Sequence, residues 1–490
     1  MTQFREQQCG IMTPMRKPFI VFILMVMAAV ATSAAPHWME GGCPPSDQIK
    51  PCLCQDFFDL YITCHNLTDK RLLEITKTIR AKKPQVMAMK ITDSDLQDIP
   101  DGSFSGLQIE QLAIVNSKVS SVGGKAFADL GSSLRELVLD NNELTHIPTD
   151  ALSDLQGLEI LHLRTNKIQR LPNYGFSKLE KLQELRLEDN DINVVDSMAF
   201  GDCCRNLDIL DLTRNLLTEI PTVSFFTLTN LTYLKLDGNK IEEIGKDAFS
   251  GLTKLNTLDL ANNQIATVEE NAFRKLQIRN LDLQQNKLEG LTELSFAGLE
   301  NVTKWIDLSY NNFTAIPTQT LTNFRYLRHL DLSYNEISLL EDNSFSGFGH
   351  HLRYIELNNN KLQSISLDAL QDLESVQFLM LAHNNLTRLP RIIVNPVIDS
   401  LFMLDLSDNP LICDCDLQWL KQWLDSVNPL DRIISDPICF MEGTKHLQFV
   451  RHLDCAQEVG QAPYEQLQNC KGLACVQSLA AFFAGHIRWY

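Results

Sequence analysis

The chain has 490 residues, 44% hydrophobic and 21% charged, which supplies a large core and excludes wholesale disorder. Its formal net charge of −18 disfavours nucleic acid or an anionic membrane surface as the main partner, because both would be repelled. The charge fits a soluble extracellular protein or a cationic partner, and solubility alone is the simplest account of it.

At the N-terminus Arg16 and Lys17 precede an apolar run from Phe19 to Ala31, followed by Thr32, Ser33, Ala34 and Ala35. A basic stretch, a short apolar run and a small-residue exit predict a signal peptide over residues 1–35, cleaved among Ser33 to Ala35. The run is shorter than the ~20 residues that span a bilayer. Met12 and Met15 are alternative starts, and Cys9 would be removed in every case. Twelve cysteines then remain in an oxidising compartment. Cys43, Cys52, Cys54 and Cys64 form one group and Cys413, Cys415, Cys439 and Cys455 another, with Cys203, Cys204, Cys470 and Cys475 left over.

Between the two groups the sequence repeats. LRELVLDNNEL (134–144), LEILHLRTNKI (158–168), LQELRLEDNDI (182–192) and LTYLKLDGNKI (231–241) share the pattern L-x-x-L-x-L-x-x-N-x-L. Asparagine holds the ninth position from Asn142 to Asn409, and Ser94 and Ser117 hold it in two weaker repeats before them. About fourteen repeats at intervals of 23 to 25 residues cover residues 86–409. In L-x-L alternate side chains point to opposite sides, as a short strand requires. A second apolar position ten residues past the asparagine holds Phe104, Phe127, Phe176, Phe200, Phe225, Phe249, Phe273, Phe296 and Phe345. One such unit cannot bury its own leucines, so stacking must do it. The asparagine amides are expected to satisfy backbone groups where each strand turns.

This pattern resembles the extracellular leucine-rich-repeat proteins. The expected fold is an α/β solenoid, a horseshoe with a concave parallel sheet on the order of 60 Å long at ~4.8 Å per strand. Such a surface suits macromolecules better than a small substrate. The spacing C-x8-C-x-C-x9-C resembles the family's N-terminal cap (43–85), and NPLICDCDLQWLKQWL with C-x-C-x23-C-x15-C resembles its C-terminal cap (410–455). Carried over, the family's pairing implies Cys43–Cys54, Cys52–Cys64, Cys413–Cys439 and Cys415–Cys455, one of three connectivities that each group allows. Trp419, Leu420, Trp423 and Leu424 fall on one helix face and are expected to cover the last repeat. The wording of the first cap also resembles arthropod proteins similar to the non-catalytic subunit of Oplophorus luciferase, a repeat protein that accompanies a separate catalytic chain. Chaoptin-like, Slit-like and soluble Toll-like ectodomains share the same parts.

No enzyme constellation is found: there is no G-x-S-x-G, H-E-x-x-H, Walker A or Rossmann pattern, and GSFSG at 102–106 carries the core residue Phe104 where a nucleophile would stand. No cofactor or metal site is expected. His350 and His351 have no carboxylate or cysteine cluster near them in the repeat and read as a solvated turn. Cys203 with Cys204 could form a vicinal disulfide, a bond to a neighbouring loop or an intermolecular bridge; Cys470 and Cys475 could close a local loop or bridge chains.

Five N-glycosylation sequons occur, at Asn66, Asn230, Asn301, Asn312 and Asn385, the last two directly after ladder asparagines. The residue between the strand leucines is acidic in five consecutive repeats, Asp259, Asp282, Asp307, Asp331 and Glu356. These should stack at strand spacing and repel one another. Beside them Trp305, His329, Tyr354 and Phe378 form an aromatic column facing solvent, with Tyr310 and Tyr334 adjacent on the other side. Asp in LDLSxN is ordinary for this repeat, so the aromatic column is the stronger signal. Together they predict a binding region for a basic protein partner, another extracellular or cell-surface protein, with no nucleic acid and no transmembrane span. The alternative is a pattern-recognition or cell-adhesion receptor-like ectodomain. The tail from 456 to 490 is too short and too polar for a membrane helix and poorly formed for a lipid-anchor signal, so secretion is favoured over a lipid anchor. Oligomeric state is not legible.

Overall fold

The computed structural model describes residues 42–453 apart from 57, 83, 84, 202, 427–436 and 442–446, and only the backbone of Cys203. The signal peptide, the tail, Cys455, Cys470 and Cys475 therefore lie outside the described residues.

One 16-stranded sheet organises the chain. It begins with an antiparallel hairpin, Leu53–Asp56 with Leu60–His65. Fourteen parallel strands follow in chain order, from Gln85–Thr92 to Met403–Asp405. These correspond one for one to the repeats read in the sequence. Register is constant, so equivalent residues stand side by side: Trp305 pairs His329, His329 pairs Tyr354 and Tyr354 pairs Phe378. The middle residue of each three-residue parallel strand, such as Leu258, Leu281, Ile306, Leu330 and Ile355, is buried. Its two neighbours therefore point to the opposite face.

The opposite side of each coil carries short two-residue strand pairs, such as Leu339–Leu340 with Ser364–Ile365, or single helical turns. The turns Thr149–Leu152, Thr222–Phe225, Thr318–Leu321 and Arg391–Val394 each follow a proline, a residue suited to a helix start because no intrahelical N–H is lost there. Between the two sides the phenylalanines form a buried spine. Phe249 and Phe273 lie 5.8 Å apart, and Phe273 and Phe296 5.7 Å.

The asparagines do what the repeat requires. Asn335 donates to the carbonyls of Leu308 (2.9 Å) and Leu332 (3.1 Å) and accepts from the Phe313 N–H (3.0 Å). Each amide thus ties its own turn to the preceding one, satisfying backbone groups that would otherwise be orphaned in the core. Ser94 and Ser117 manage part of this with a hydroxyl, as in Leu67 N–H to Ser94 Oγ (3.0 Å). The residue before each asparagine takes a positive φ: Asn141, Thr165, Asp189, Arg214, Asn262, Tyr310 and Tyr334 all lie between 50° and 59°. Gly238 fills the same position at 69°, free of the Cβ penalty.

Three of the disulfides implied by the resemblance form: Cys43–Cys54, Cys52–Cys64 and Cys413–Cys439. Cys415 is also disulfide-bonded. Cys203–Asn206 is a 3-10 turn, with the Cys204 side chain buried. At the far end the helix Gln418–Ser426 buries Trp419, Leu420 and Leu424. Trp419 Nε1 donates to the Leu389 carbonyl at 2.8 Å, so this tryptophan belongs to the cap core. No helix among the described residues is long and apolar enough to cross a membrane.

Candidate partner-binding face

From the strand Thr257–Asp259 to the strand Phe378–Met380, the sheet face away from the core carries two columns of distinct chemistry. The first residue of each strand gives the aromatic column. Trp305 meets His329 edge-on at 6.1 Å, His329 stacks on Tyr354 at 5.5 Å, and Tyr354 stacks on Phe378 at 4.5 Å. Phe378 then reaches Phe402, 45% exposed, at 5.5 Å. The expectation that this column faces solvent needs correction. The rings cover one another, and Trp305, His329, Tyr354 and Phe378 are all half-buried. More exposed aromatics stand across the sheet: Tyr310 and Tyr334, stacked at 4.0 Å, lie open at 42% and 44%.

The third strand residue gives the acidic column. Each aspartate accepts the backbone N–H two residues on: Ala261 to Asp259 (3.1 Å), Gln284 to Asp282 (3.1 Å), Ser309 to Asp307 (2.9 Å), Ser333 to Asp331 (2.8 Å). These bonds draw the carboxylates against the sheet, so Asp307 and Asp331 are only 4% and 6% exposed. Burial, reinforced by the neighbouring carboxylates, pushes Asp282 up to about 8 and Asp259 up to about 6. Asp307 and Asp331 move the same way for the same main reason. The stripe is therefore less charged at neutral pH than a count of residues suggests.

A third column was missed by the sequence reading. Arg279, Lys304, Arg328 and Arg353 immediately precede four of these strands and are exposed. They are in register, because Lys304 N–H bonds the Arg279 carbonyl, Arg328 N–H that of Lys304 and Arg353 N–H that of Arg328, at 2.8 to 2.9 Å. Four cations thus flank the aromatic column on the side away from the carboxylates. The same periodic counting that finds the acidic stripe finds them, one position before the aromatic residues.

A second missed feature joins the columns. His329 Nε2 lies 3.1 Å from Glu356 Oε1, and His329, Asp331 and Glu356 each bring a donor atom to one spot. Near His350, Glu374 from the next coil places Oε1 3.5 Å from Nδ1. That contact was invisible because the two residues are a full turn of the solenoid apart; both are exposed, so the surface-turn reading of this histidine is unaffected.

Of the sequon asparagines, Asn66, Asn301, Asn312 and Asn385 are exposed. Asn230 differs: its amide donates to the Arg205 carbonyl (2.7 Å) and its oxygen accepts from Lys254 (2.6 Å).

The leucine rich repeat family matches residues 132–192, 180–241, 229–288, 277–337, 301–350, 337–386 and 350–411, which together cover more than half of the chain. The chain belongs to the leucine-rich-repeat family. A curated relative, the leucine-rich repeat-containing protein let-4 of Caenorhabditis elegans, is 29% identical over 90 residues, 18% of this chain and 12% of that protein. Among solved structures, TLR13 in complex with ssRNA13 superposes with a TM-score of 0.55 at 22% identity, covering 80% of this chain and 60% of that one. Mouse RP105 in complex with MD-1 does so with a TM-score of 0.55 at 22% identity, covering 76% and 63%. This leucine-rich-repeat chain thus spans an eighth of the length of let-4 and under two thirds of both structural neighbours, and identities at this level establish the fold alone.

Proposed function

We propose that this chain is an extracellular, non-catalytic scaffold that captures another extracellular or cell-surface protein on its concave face, between the strands Thr257–Asp259 and Phe378–Met380. The observation that carries this reading is the packing of three unlike columns, basic, aromatic and acidic, side by side on one sheet. Half-buried rings between opposite charges supply the desolvated centre and polar border that make a binding hot spot. The partner surface would present basic groups to Asp259–Glu356 and acidic groups to Arg279–Arg353, with Trp305, Tyr310, Tyr334, Tyr354 and Phe378 beneath its apolar part. Companionship to a separate catalytic chain, which the wording of the first cap suggests, is the narrower form of this role. Glycans on Asn301, Asn312 and Asn385 would confine access by their bulk, whereas Asn230 has its amide committed to the fold.

Affinity capture from body fluid with the secreted protein tests the reading. Replacing Trp305 and Tyr354 together by Ala should reduce capture at least about tenfold. Because both rings are stacked in the lane, a small loss of thermal stability should accompany it. Undiminished capture would refute the assignment of this face. A stoichiometric protein partner supports the scaffold.

A receptor-like ectodomain reading microbial or cell-surface ligands is the second reading, favoured by the exposed basic column, which suits an acidic or sulfated surface. TLR13 was solved with an RNA, but the net charge of −18 and the acidic column argue against a polyanion spanning this face. A lipid-anchored form would be released from expressing cells by an anchor-cleaving phospholipase.

A further inference from the structure

An imidazole and two carboxylates converge on the acidic column where it touches the aromatic one. His329 and Asp331 are the first and third residues of one strand and so share a face, and Glu356 stands opposite Asp331 on the next. Their donor atoms all lie within 4.8 Å of one another. The His329 Nε2 to Glu356 Oε1 separation of 3.1 Å is close to the spacing of adjacent ligands around a tetrahedral ion with bonds of ~2.0–2.2 Å. The widest pair, within 4.8 Å, needs to close by up to about 1.2 Å to reach tetrahedral spacing, through rotation of the carboxylate side chains.

Asp331 provides a second and separate observation. It is 94% shielded from solvent, yet among the described residues the one hydrogen bond it receives is the Ser333 N–H on Oδ1, and neither lysine nor arginine pairs with it. Among the described residues Oδ2 takes part in no hydrogen bond, and it keeps a little contact with solvent. Asp307 alongside is buried too and is held only by the N–H and hydroxyl of Ser309. Buried carboxylates without a counter-charge are costly, and the other charged groups here, apart from His329, are themselves acidic. A cation at this point would offset that cost. His329 is walled by Trp305 on one side and Tyr354 on the other, which fixes its ring plane before any ion arrives.

The donor set selects the ion. Calcium asks for six to eight oxygens, which two carboxylates do not provide. Imidazole with carboxylates suits zinc and its neighbours, and three protein ligands leave a fourth position open. We propose that His329, Asp331 and Glu356 form an open three-ligand site for a divalent cation of the zinc class on the concave face. The site is independent of the partner-capture reading, since it requires only the cation.

The full secreted chain, stripped with chelator and dialysed, should take up one equivalent of ZnCl2 at pH 7.5 in a non-coordinating buffer, read by isothermal titration calorimetry. Asp331→Asn keeps the acceptor for Ser333 N–H and should fold normally while weakening zinc at least about tenfold, as should Glu356→Gln. His350→Ala should leave the titration unchanged. Zinc should raise Tm in the wild type and not in Asp331→Asn. The absence of zinc uptake by the wild type, uptake unaltered by both carboxamide variants, or uptake of CaCl2 in preference to ZnCl2 would each overturn the proposal.

Discussion

The two halves of the concave face handle charge in opposite ways. Between residues 136 and 235 the inward carboxylates of the central strands meet cations, apart from Glu136, whose pKa is raised by burial. Glu184 is shared by His162 (3.2 Å) and Arg186, Asp211 by Arg186 (3.6 Å) and Lys235 (3.4 Å), and Asp140 by Arg164 (2.7 Å). Between residues 257 and 380 the equivalent carboxylates have backbone N–H groups and one histidine, while the arginines and lysine stand in a separate column. One scaffold thus carries a largely self-neutralised surface and an unneutralised one. A charge already paired has little to offer a partner, because displacing its internal ion costs what the new contact gains. The difference is what the proposed capture on the later strands rests on.

The largest effect should show what the halves have in common. Asn190→Ala and Asn335→Ala each remove an amide that holds two consecutive turns, leaving buried backbone groups unsatisfied. Each should cost about 2–3 kcal/mol, measured by denaturant unfolding. Equal losses would show that the solenoid is uniform and that only its inner surface differs. A loss confined to one half would break the comparison at its root.

Substituting the carboxylates should separate the halves by sign. Hydrogen bonds from His162 and then Arg186 hold Glu184 down at about 2 despite partial burial, so Glu184→Gln should destabilise by about 1–2 kcal/mol at pH 7. Asp282→Asn keeps the acceptor for the Gln284 N–H while removing a carboxyl pushed up to about 8, so it should stabilise at pH 8, with a Tm gain of about 1–3 °C. Thermal melts of the two variants at pH 7 and 8 decide it. If both destabilise, the later carboxylates are not uncompensated.

The pH profile carries the same contrast in the unmodified protein. Asp259 and Asp282 have folded values above the unfolded ~3.9, so their contribution is fully present below about pH 4 and is lost as pH rises through about 6 and about 8. Glu184 has the reverse sign, stabilising above its unfolded value of ~4.3 and losing that contribution as pH falls toward 2. These groups together place the stability maximum near pH 4. The decline above it should flatten in Asp282→Asn, and the decline below it should flatten in Glu184→Gln.

Most of this face was legible because constant register turns sequence period into adjacency. Counting from each leucine placed Trp305 beside His329 and Asp331 beside Glu356 without coordinates. The same counting reaches Arg279, Lys304, Arg328 and Arg353, which stand one position before the strands and so outside the alternation of core and face. The depth of the aspartates was harder to see. In D-L-S at 307–309 and 331–333 the carboxylate reaches the N–H two residues on, a local bond that buries it, whereas simple alternation places it in solvent. The mutual coverage of the rings depends on side-chain rotamers and follows from no spacing rule. His329 with Asp331 and Glu356 needed two columns to be read at once, because the ligating residues belong to different repeats.

The smallest effect tests whether pairing as such, or pairing in a shielded place, distinguishes the halves. Arg214 reaches Asp189 at the sheet edge with a two-pronged contact of 2.5 and 2.7 Å, geometrically better than any pair on Arg186 across the sheet to Asp211. Arg214 is exposed and Asp189 partly so, and therefore the Coulomb gain is screened and the side chains lose freedom in making the contact. Arg214→Ala should therefore cost less than about 0.5 kcal/mol, and that cost should vanish in 0.5 M salt. A loss as large as that of Glu184→Gln would mean that short contacts govern the neutralised half. A negligible one would show that its stability rests on the pairs lying over the strands, where water is partly excluded and where the later half has carboxylates instead.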